Sequence, residues 1–219
     1  MTAGIKANVD GSAAIQVGGS DYITISSAGA VTVPQTLAVT GTTTLTGAAT
    51  AGSLQVGGVA TNLYPLVSGT AVASTSGTSI DFTGIPSTAK RITVMFDGVS
   101  TNGASNVNLQ LGDSGGIEDT GYVGSHTAFS ASAVSTVSNT THFTVYSQAS
   151  AAGLFSGVAT ICLLSGNTWA ASGTTGSAVP RGTTFGGSKT LSGTLDRVRI
   201  TSGNGTDVFD AGSINIMWE

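Results

Sequence analysis

Residues 30–66 read AVTVPQTLAVTGTTTLTGAATAGSLQVGGVATNLYPL, a stretch too polar for a core and too regular for a linker. No charged residue occurs between Asp21 and Asp81, yet Val31, Val33, Leu37, Val39, Leu45, Leu54, Val56, Val59 and Leu63 recur among Thr, Ala and Gly. Disordered segments are rich in charge and proline, whereas Thr and Val favour extended backbone. The units TLAVTG (36–41) and TTTLTG (42–47) form a near-hexad closed each time by Thr-Gly, and Leu-x-Val returns at Leu54 and Val56 before Gly57 and Gly58. Alternation within a unit is a strand signal, and glycine supplies the bend between units. The few apolar side chains cannot offset the entropy of ordering this stretch within one chain. Other copies of the chain supply the missing strand partners and apolar surface most economically. The expectation is a thin, intertwined, homotrimeric β shaft with its connector over residues 36–76. The competing reading is a flexible Thr/Gly/Ala linker.

On the N-terminal side, residues 1–35 hold strand candidates at 13–17, 22–26 and 30–33, with turns at Gly18-Gly19-Ser20 and Ala28-Gly29. Ile15, Val17, Ile23, Ile25, Val31 and Val33 alternate with small polar residues, which predicts a β-meander with one apolar face. Three short strands make a marginal domain alone, so this face packs against its own copies or a larger partner.

On the C-terminal side, Pro65 and a Ser/Gly/Thr-rich stretch lead to Ile80, beyond which lie eleven of the thirteen aromatic residues and every arginine. A core can be built here, over residues 77–219. Strand candidates fall at 79–83, 91–96, 107–111, 142–146, 157–164, 168–171, 195–201, 207–209 and 213–218. Short strands separated by Gly/Ser/Asn turns, with no helices between them, predict an antiparallel β-sandwich or jelly-roll head. The run 158–164 lacks alternation and reads as a central strand buried on both faces. Long loops are expected at 113–138 and 173–187.

Composition agrees with an all-β class: 32 glycines in 219 residues and only 8% charged side chains. The net charge of −4 and scattered basic residues argue against a nucleic-acid partner. Cys162, within VATICLL, reads as a small buried hydrophobe and excludes an intrachain disulfide. The N-terminus MTAGIKANVDG lacks the apolar segment of a signal peptide, so synthesis in the cytoplasm is expected.

Few groups could carry chemistry. His126 and His142 match no zinc spacing, and no metal or cofactor is expected. His142 is out of phase with Phe143 and Val145, which places it on the polar face of its strand. Asp113, Glu118 and Asp119 sit in the Gly-rich DSGGIED and read as a solvated turn; Asp207 and Asp210 read as turn and strand-end residues rather than a catalytic pair. No enzyme activity is expected. The candidates for receptor contact are aromatic rings able to stack on sugars, with polar neighbours: Tyr122, His126, Phe129 and Trp169, joined by Arg181. Phe185 and Lys189 share the second loop with Arg181, and Lys189 is a further candidate for an anionic surface.

Four segments together carry a resemblance that spans nearly the whole chain: GSAAIQVGGSDYITISSAGAVTVP (11–34), LAVTGTTTLTG (37–47), IDFTGIPSTAKRITVMFDGVSTNG (80–103) and LDRVRITSGNGTDVFDAGSINIMWE (195–219). The chain resembles short tail-fibre proteins of tailed bacteriophages. The resemblance implies a homotrimeric virion fibre: an N-terminal anchor held by other tail or capsid proteins, a slender shaft, and a tip that meets a host-surface glycan or outer-membrane component. A capsid decoration fibre or cement protein is the alternative, and a glycan-depolymerising tailspike the third.

Overall fold

The structure, a computed structural model, describes residues 3–7, 12–17, 20–25, 31–32, 54–56, 59–61, 66–148, 150–151 and 153–219. These are all strand, turn and irregular backbone, without helix, and every strand pairing is antiparallel. The chain divides into Met1–Asn62 and Leu63–Glu219. The hexads at 36–47 lie outside the described residues.

In the first unit, β1 (Ala3–Ala7), β2 (Ala13–Val17), β3 (Ser20–Ile25) and β4 (Val31–Thr32) follow one another across a four-stranded sheet. The sequence reading missed β1, because AGIKA offers one large apolar residue and no alternation. The register places Ile5 opposite Ile15 and Ile15 opposite Ile23, so three isoleucines line up across adjacent strands. Ile5 is 82% exposed and Ile15 also stands in solvent. Further on, β5 (Leu54–Val56) pairs with β6 (Val59–Thr61).

The second unit begins before the expected boundary: β7 (Val67–Ser68) and β8 (Val72–Ala73) pair with its last strand. Its remaining strands are β9 (Ser79–Thr83), β10 (Arg91–Thr101), β11 (Val107–Asp113), β12 (Gly116–Ile117), β13 (Tyr122–Ser130), β14 (Val134–Asn139) and β15 (Phe143–Tyr146). They are followed by β16 (Phe155–Ser165), β17 (Thr168–Ser177), β18 (Arg181–Thr190), β19 (Leu195–Ser202) and β20 (Phe209–Trp218). One sheet has nine strands, ordered β14-β13-β18-β17-β16-β10-β20-β7 with β8 also on β20; the other has five, ordered β12-β11-β19-β9 with β15 on β11.

Both sheets feed one core. Ile92, Val94, Phe155, Ile161, Ile214 and Ile216 come from the larger sheet, and Ile80, Leu109, Leu111, Val198 and Ile200 from the smaller. The short strand β15 joins them through a bulge: Val107 opposes Tyr146 while Asn108 opposes Thr144, which leaves Val145 as an extra residue. The bulge turns both Phe143 and Tyr146 to the side of Leu109 and Val107. Tyr146 then stacks on Phe155 at 4.5 Å between centroids, and Phe143 meets Tyr122 edge-on at 5.0 Å.

Three expectations are corrected. The proposed loops 113–138 and 173–187 are largely strand, because β13, β14, β17 and β18 occupy most of them. Their alternation is hidden because inward positions carry Gly, Ala, Thr or His instead of large apolar residues, and rings pack onto the bare backbone. A Cβ at Gly173 would stand 2.6 Å from Phe185 Cε1, and one at Gly187 would stand 3.0 Å from Phe143 Cε1. The run 158–164 is central in its sheet but buried on one face only: Ala159 and Ile161 are covered, whereas Val158, Leu164 and Cys162 are exposed. The nine-stranded sheet is covered by the other on one side, so its outer side faces solvent. The candidate at 207–209 shrinks to Phe209, where β20 starts.

Lys189 is also corrected. It faces inward, its side chain only 5% exposed, and pairs with Glu118 while its ammonium lies 5.6 Å from the Tyr122 ring centroid. Glu118 also accepts Ser192 N at 2.7 Å and Ser192 Oγ at 2.8 Å. Burial pushes the Glu118 carboxyl up, but the bonds from Lys189 and Ser192 outweigh it and hold the group below its ordinary value. Removing one partner of such a pair strands the other charge. Glu118→Gln is therefore expected to destabilise this unit by about 3 kcal/mol, and Lys189→Met by about 1 kcal/mol or less, since Glu118 can still reach water. Chemical denaturation of the two variants measures the order, which is the informative result.

Candidate functional site

The structure separates the five expected contact residues into two groups. Tyr122, His126 and Trp169 are buried, at 2%, 3% and 3% exposure, and so belong to the interior instead of a receptor surface. On β13 the residues Tyr122, His126 and Ala128 alternate inward. The Tyr122 hydroxyl donates to Glu118 O at 2.9 Å and accepts from Leu111 N at 2.7 Å, and burial pushes its phenol far above the ordinary value. His126 Nδ1 is 3.0 Å from Asn139 Nδ2, on the neighbouring edge strand β14. Trp169 packs in the core with its indole N–H unpaired among the described residues. Phe185, from the same expected loop, is buried as well.

Phe129 and Arg181 are near neighbours on opposite faces of β13 and β18: Phe129 opposes outward Gly182, whereas Arg181 shares the side of buried Thr183. They line an open groove of about 720 Å³ where the β17–β18 hairpin turns, closed on its other side by Gly98, Leu154 and Ser156. Phe129 points outward at 42% exposure. Its cross-strand neighbour is Gly182, and a Cβ there would stand 2.5 Å from Phe129 Cε2 and Cζ. The ring thus lies on bare backbone with its other face open. Leu154 at 47% exposure and Pro180 add apolar wall.

Arg181 is held in place from behind: its Nε donates to Ser147 O and its Nη2 lies 3.4 Å from Ser147 Oγ. Ser156 Oγ, on the opposite wall, accepts from Gly98 N at 2.9 Å and donates to Asp97 at 3.5 Å. The groove offers a flat ring and hydroxyls, while the Arg181 guanidinium is turned to Ser147 on the side of the facing sheet; no carboxylate or histidine lines the groove. The sequence reading missed Leu154, Ser156, Pro180 and Gly182. The Val-Pro-Arg-Gly stretch at 179–182 carried a turn signal that could have marked the hairpin.

The acidic residues are tied into structure. Asp113 is buried; the backbone N–H of Gly115 at 2.8 Å and the Ser192 hydroxyl at 2.9 Å keep its carboxyl below the usual range, so the expected solvated turn is partly interior. Asp207 accepts from Asn204 Nδ2 at 2.7 Å and Ser105 N at 3.0 Å, and Asp210 accepts from Ser100 Oγ. Among the described residues no cluster of His, Cys, Asp and Glu could hold a metal. Compared with protein-family models, with curated proteins and with solved structures, the chain matches none of them.

His142 lies just before β15, half-buried, with Nδ1 2.8 Å from Thr141 Oγ1. Burial lowers both histidines, and for His142 the neighbouring His126 adds to it. Their folded values lie below the unfolded value of about 6.5, so the unfolded chain binds protons first as pH falls. Their stabilising effect is complete above that value and is lost progressively below it. The carboxylates Asp113, Glu118, Asp196 and Asp207, all lowered, begin to lose theirs only nearer pH 4. Melting scans are expected to show a lower Tm at pH 5 than at pH 7.5, with a smaller difference in His126→Gln/His142→Gln.

Proposed function

We propose that this chain is a homotrimeric bacteriophage tail fibre: residues 1–35 attach to other virion proteins, 36–76 form the shaft, and the C-terminal β-sandwich head meets the host surface. The observation that carries this reading is the row Ile5, Ile15 and Ile23, the first two exposed and the third half-buried, on a four-stranded sheet of short strands. Such a sheet is marginal alone and gains stability only where its apolar face is covered. The charge-free, strand-prone stretch between Asp21 and Asp81 supports the same association. At the other end, the Phe129 groove is a shallow, ring-floored surface suited to recognition. The reading is one of binding, without catalysis. A single shallow site is weak, and three copies on one stalk multiply avidity by about 10²–10⁴ where the geometry allows.

Light scattering of the full chain is expected to give three copies, and a monomer overturns the fibre reading. Fluorescently labelled full chain is expected to bind host cells, and Phe129→Ala to lower that binding about 10-fold through the lost ring contact repeated in each copy. A folded trimer that binds no host cell overturns the receptor role and favours capsid decoration.

A further inference from the structure

The two outer faces of the sandwich differ in character. On the smaller sheet Asp81 and Arg199 pair across strands, and Arg197 stands on the same side. On the larger sheet, β14, β13, β18, β17 and β16 carry two charged residues, Arg181 and Lys189, and both have the inward parity of buried Thr183 and Phe185. The outward side of these five adjacent strands is therefore without charge. Charge returns on the next strand, β10, with Asp97 and with Arg91, which pairs with Glu219. Apolar groups stand open on the uncharged face. Val123 and Leu164 are 73% and 72% exposed, and Val158 and the Cys162 thiol are exposed as well. In the register Val123, Ser188, Ala170 and Cys162 form one cross-strand row. Beside that row a depression of about 490 Å³ opens over Gly157 and Gly173, walled by Val158, Ser172, Thr174 and Thr184.

We infer that this face is where copies of the chain meet, with Val123 of one copy entering the depression beside Val158 of the next. A knob and a hole on different strands make a head-to-tail contact, the kind that closes into a ring. Adjacent strands lie ~4.8 Å apart and alternate residues ~6.8 Å apart, so about four strands by four rows give about 500 Å² a copy. A ring of three then removes about 1,500 Å² from water, an amount in the range of specific interfaces. The composition fits the same occupant, since interface centres are depleted of charge and rimmed by it, as this face is by Arg91, Glu219 and Asp97. A saccharide would be held by rings, and the one outward ring of the five strands is Phe129, in the last row by the β17–β18 hairpin. That row and its groove stay outside the contact, at the hairpin end; the chain enters the sheet at the other end, where Val67 pairs with Trp218. The inference adds a contact between the larger units to the fibre reading, and rests on that reading for the number of copies.

Cys162 reports on the contact in the full chain. N-ethylmaleimide is expected to modify it at least about 10-fold more slowly in the native assembly than in Ser172→Glu, whose charge would be left unpaired in the middle of the contact. Val123→Asp is expected to open the thiol in the same way, and Thr83→Glu, on the outer side of the smaller sheet, to leave the slow rate unchanged. All three positions are exposed in one copy; melting temperatures check folding, and if one face variant fails to fold the other decides. Light scattering gives the number of copies. Protection that either face variant removes supports the contact, whether or not the shaft still holds the copies together. Protection that neither removes overturns it. A trimer in which Cys162 reacts as fast as in the variants overturns the inference and leaves the fibre reading standing, whereas a monomeric full chain overturns both. If the thiol is open in every form and Ser172→Glu abolishes host-cell binding, the face belongs to the receptor and the contact between copies falls.

Discussion

The fold of the larger unit depends on one extra residue, Val145. An unbulged β15 would point Phe143 and Tyr146, three positions apart, to opposite sides of the five-stranded sheet. With the bulge, both rings enter the interior about ten ångströms of sheet spacing away from their partners, one against Tyr122 and Phe185, the other against Phe155. Phe155 extends the chain of rings to Phe96 at 5.5 Å. Two sheets of nine and five strands cannot cover each other strand for strand, and the rings of this short strand fill the region over β13, β18 and β16. Bulky rings also explain the glycines beneath them: a side chain at Gly187 would press on Phe143 of the facing sheet, and one at Gly173 would press on Phe185 of its own.

Charge is spent unevenly over the same frame. The smaller sheet carries Asp81–Arg199 and Asp196–Arg197 on its surface, while the turn after β12 is fastened to β18 by Glu118, Lys189 and Ser192. Exposed pairs of the first kind contribute little, typically under about 1 kcal/mol, because solvent screens them. The Glu118–Lys189 pair is different in kind. It holds Tyr122 under a cation and keeps Glu118 half-buried, so the segment that reads as a solvated loop is partly interior, with Asp113 buried and Ser114, Gly115 and Asp119 exposed.

Legibility in the sequence followed side-chain size. Strands whose inward positions carry Ile, Val, Leu and Phe, such as β10, β11, β19 and β20, are visible through period-two alternation, and so are β2 and β3. Strands β13, β14 and β18, and β17 beyond Ala171, are not, since their inward residues include His126, Thr175, Thr183 and Lys189, which mimic loop composition. The same substitution misled the site reading. A His or Tyr in a Gly/Ser-rich stretch looks exposed until a neighbouring strand is known to cover it. Phe129 and Arg181 were legible as residue types, but their placement depends on cross-strand register, Phe129 opposite Gly182 and Ser130 opposite Arg181, which sets the two side chains on opposite faces.

That register has a consequence for recognition. The groove is built from the ends of paired strands and one tight hairpin, so its ring is seated by ladder hydrogen bonds before any ligand arrives. A surface loop would have to be ordered on binding, at a cost for every side chain immobilised. Strand-borne contacts avoid most of that cost and hold their geometry closely. They also limit adaptability, because moving Phe129 means moving β18 as well. A shallow site of this kind gains little from closing around its ligand, so its affinity must come from preorganisation and, in the proposed fibre, from repetition across copies.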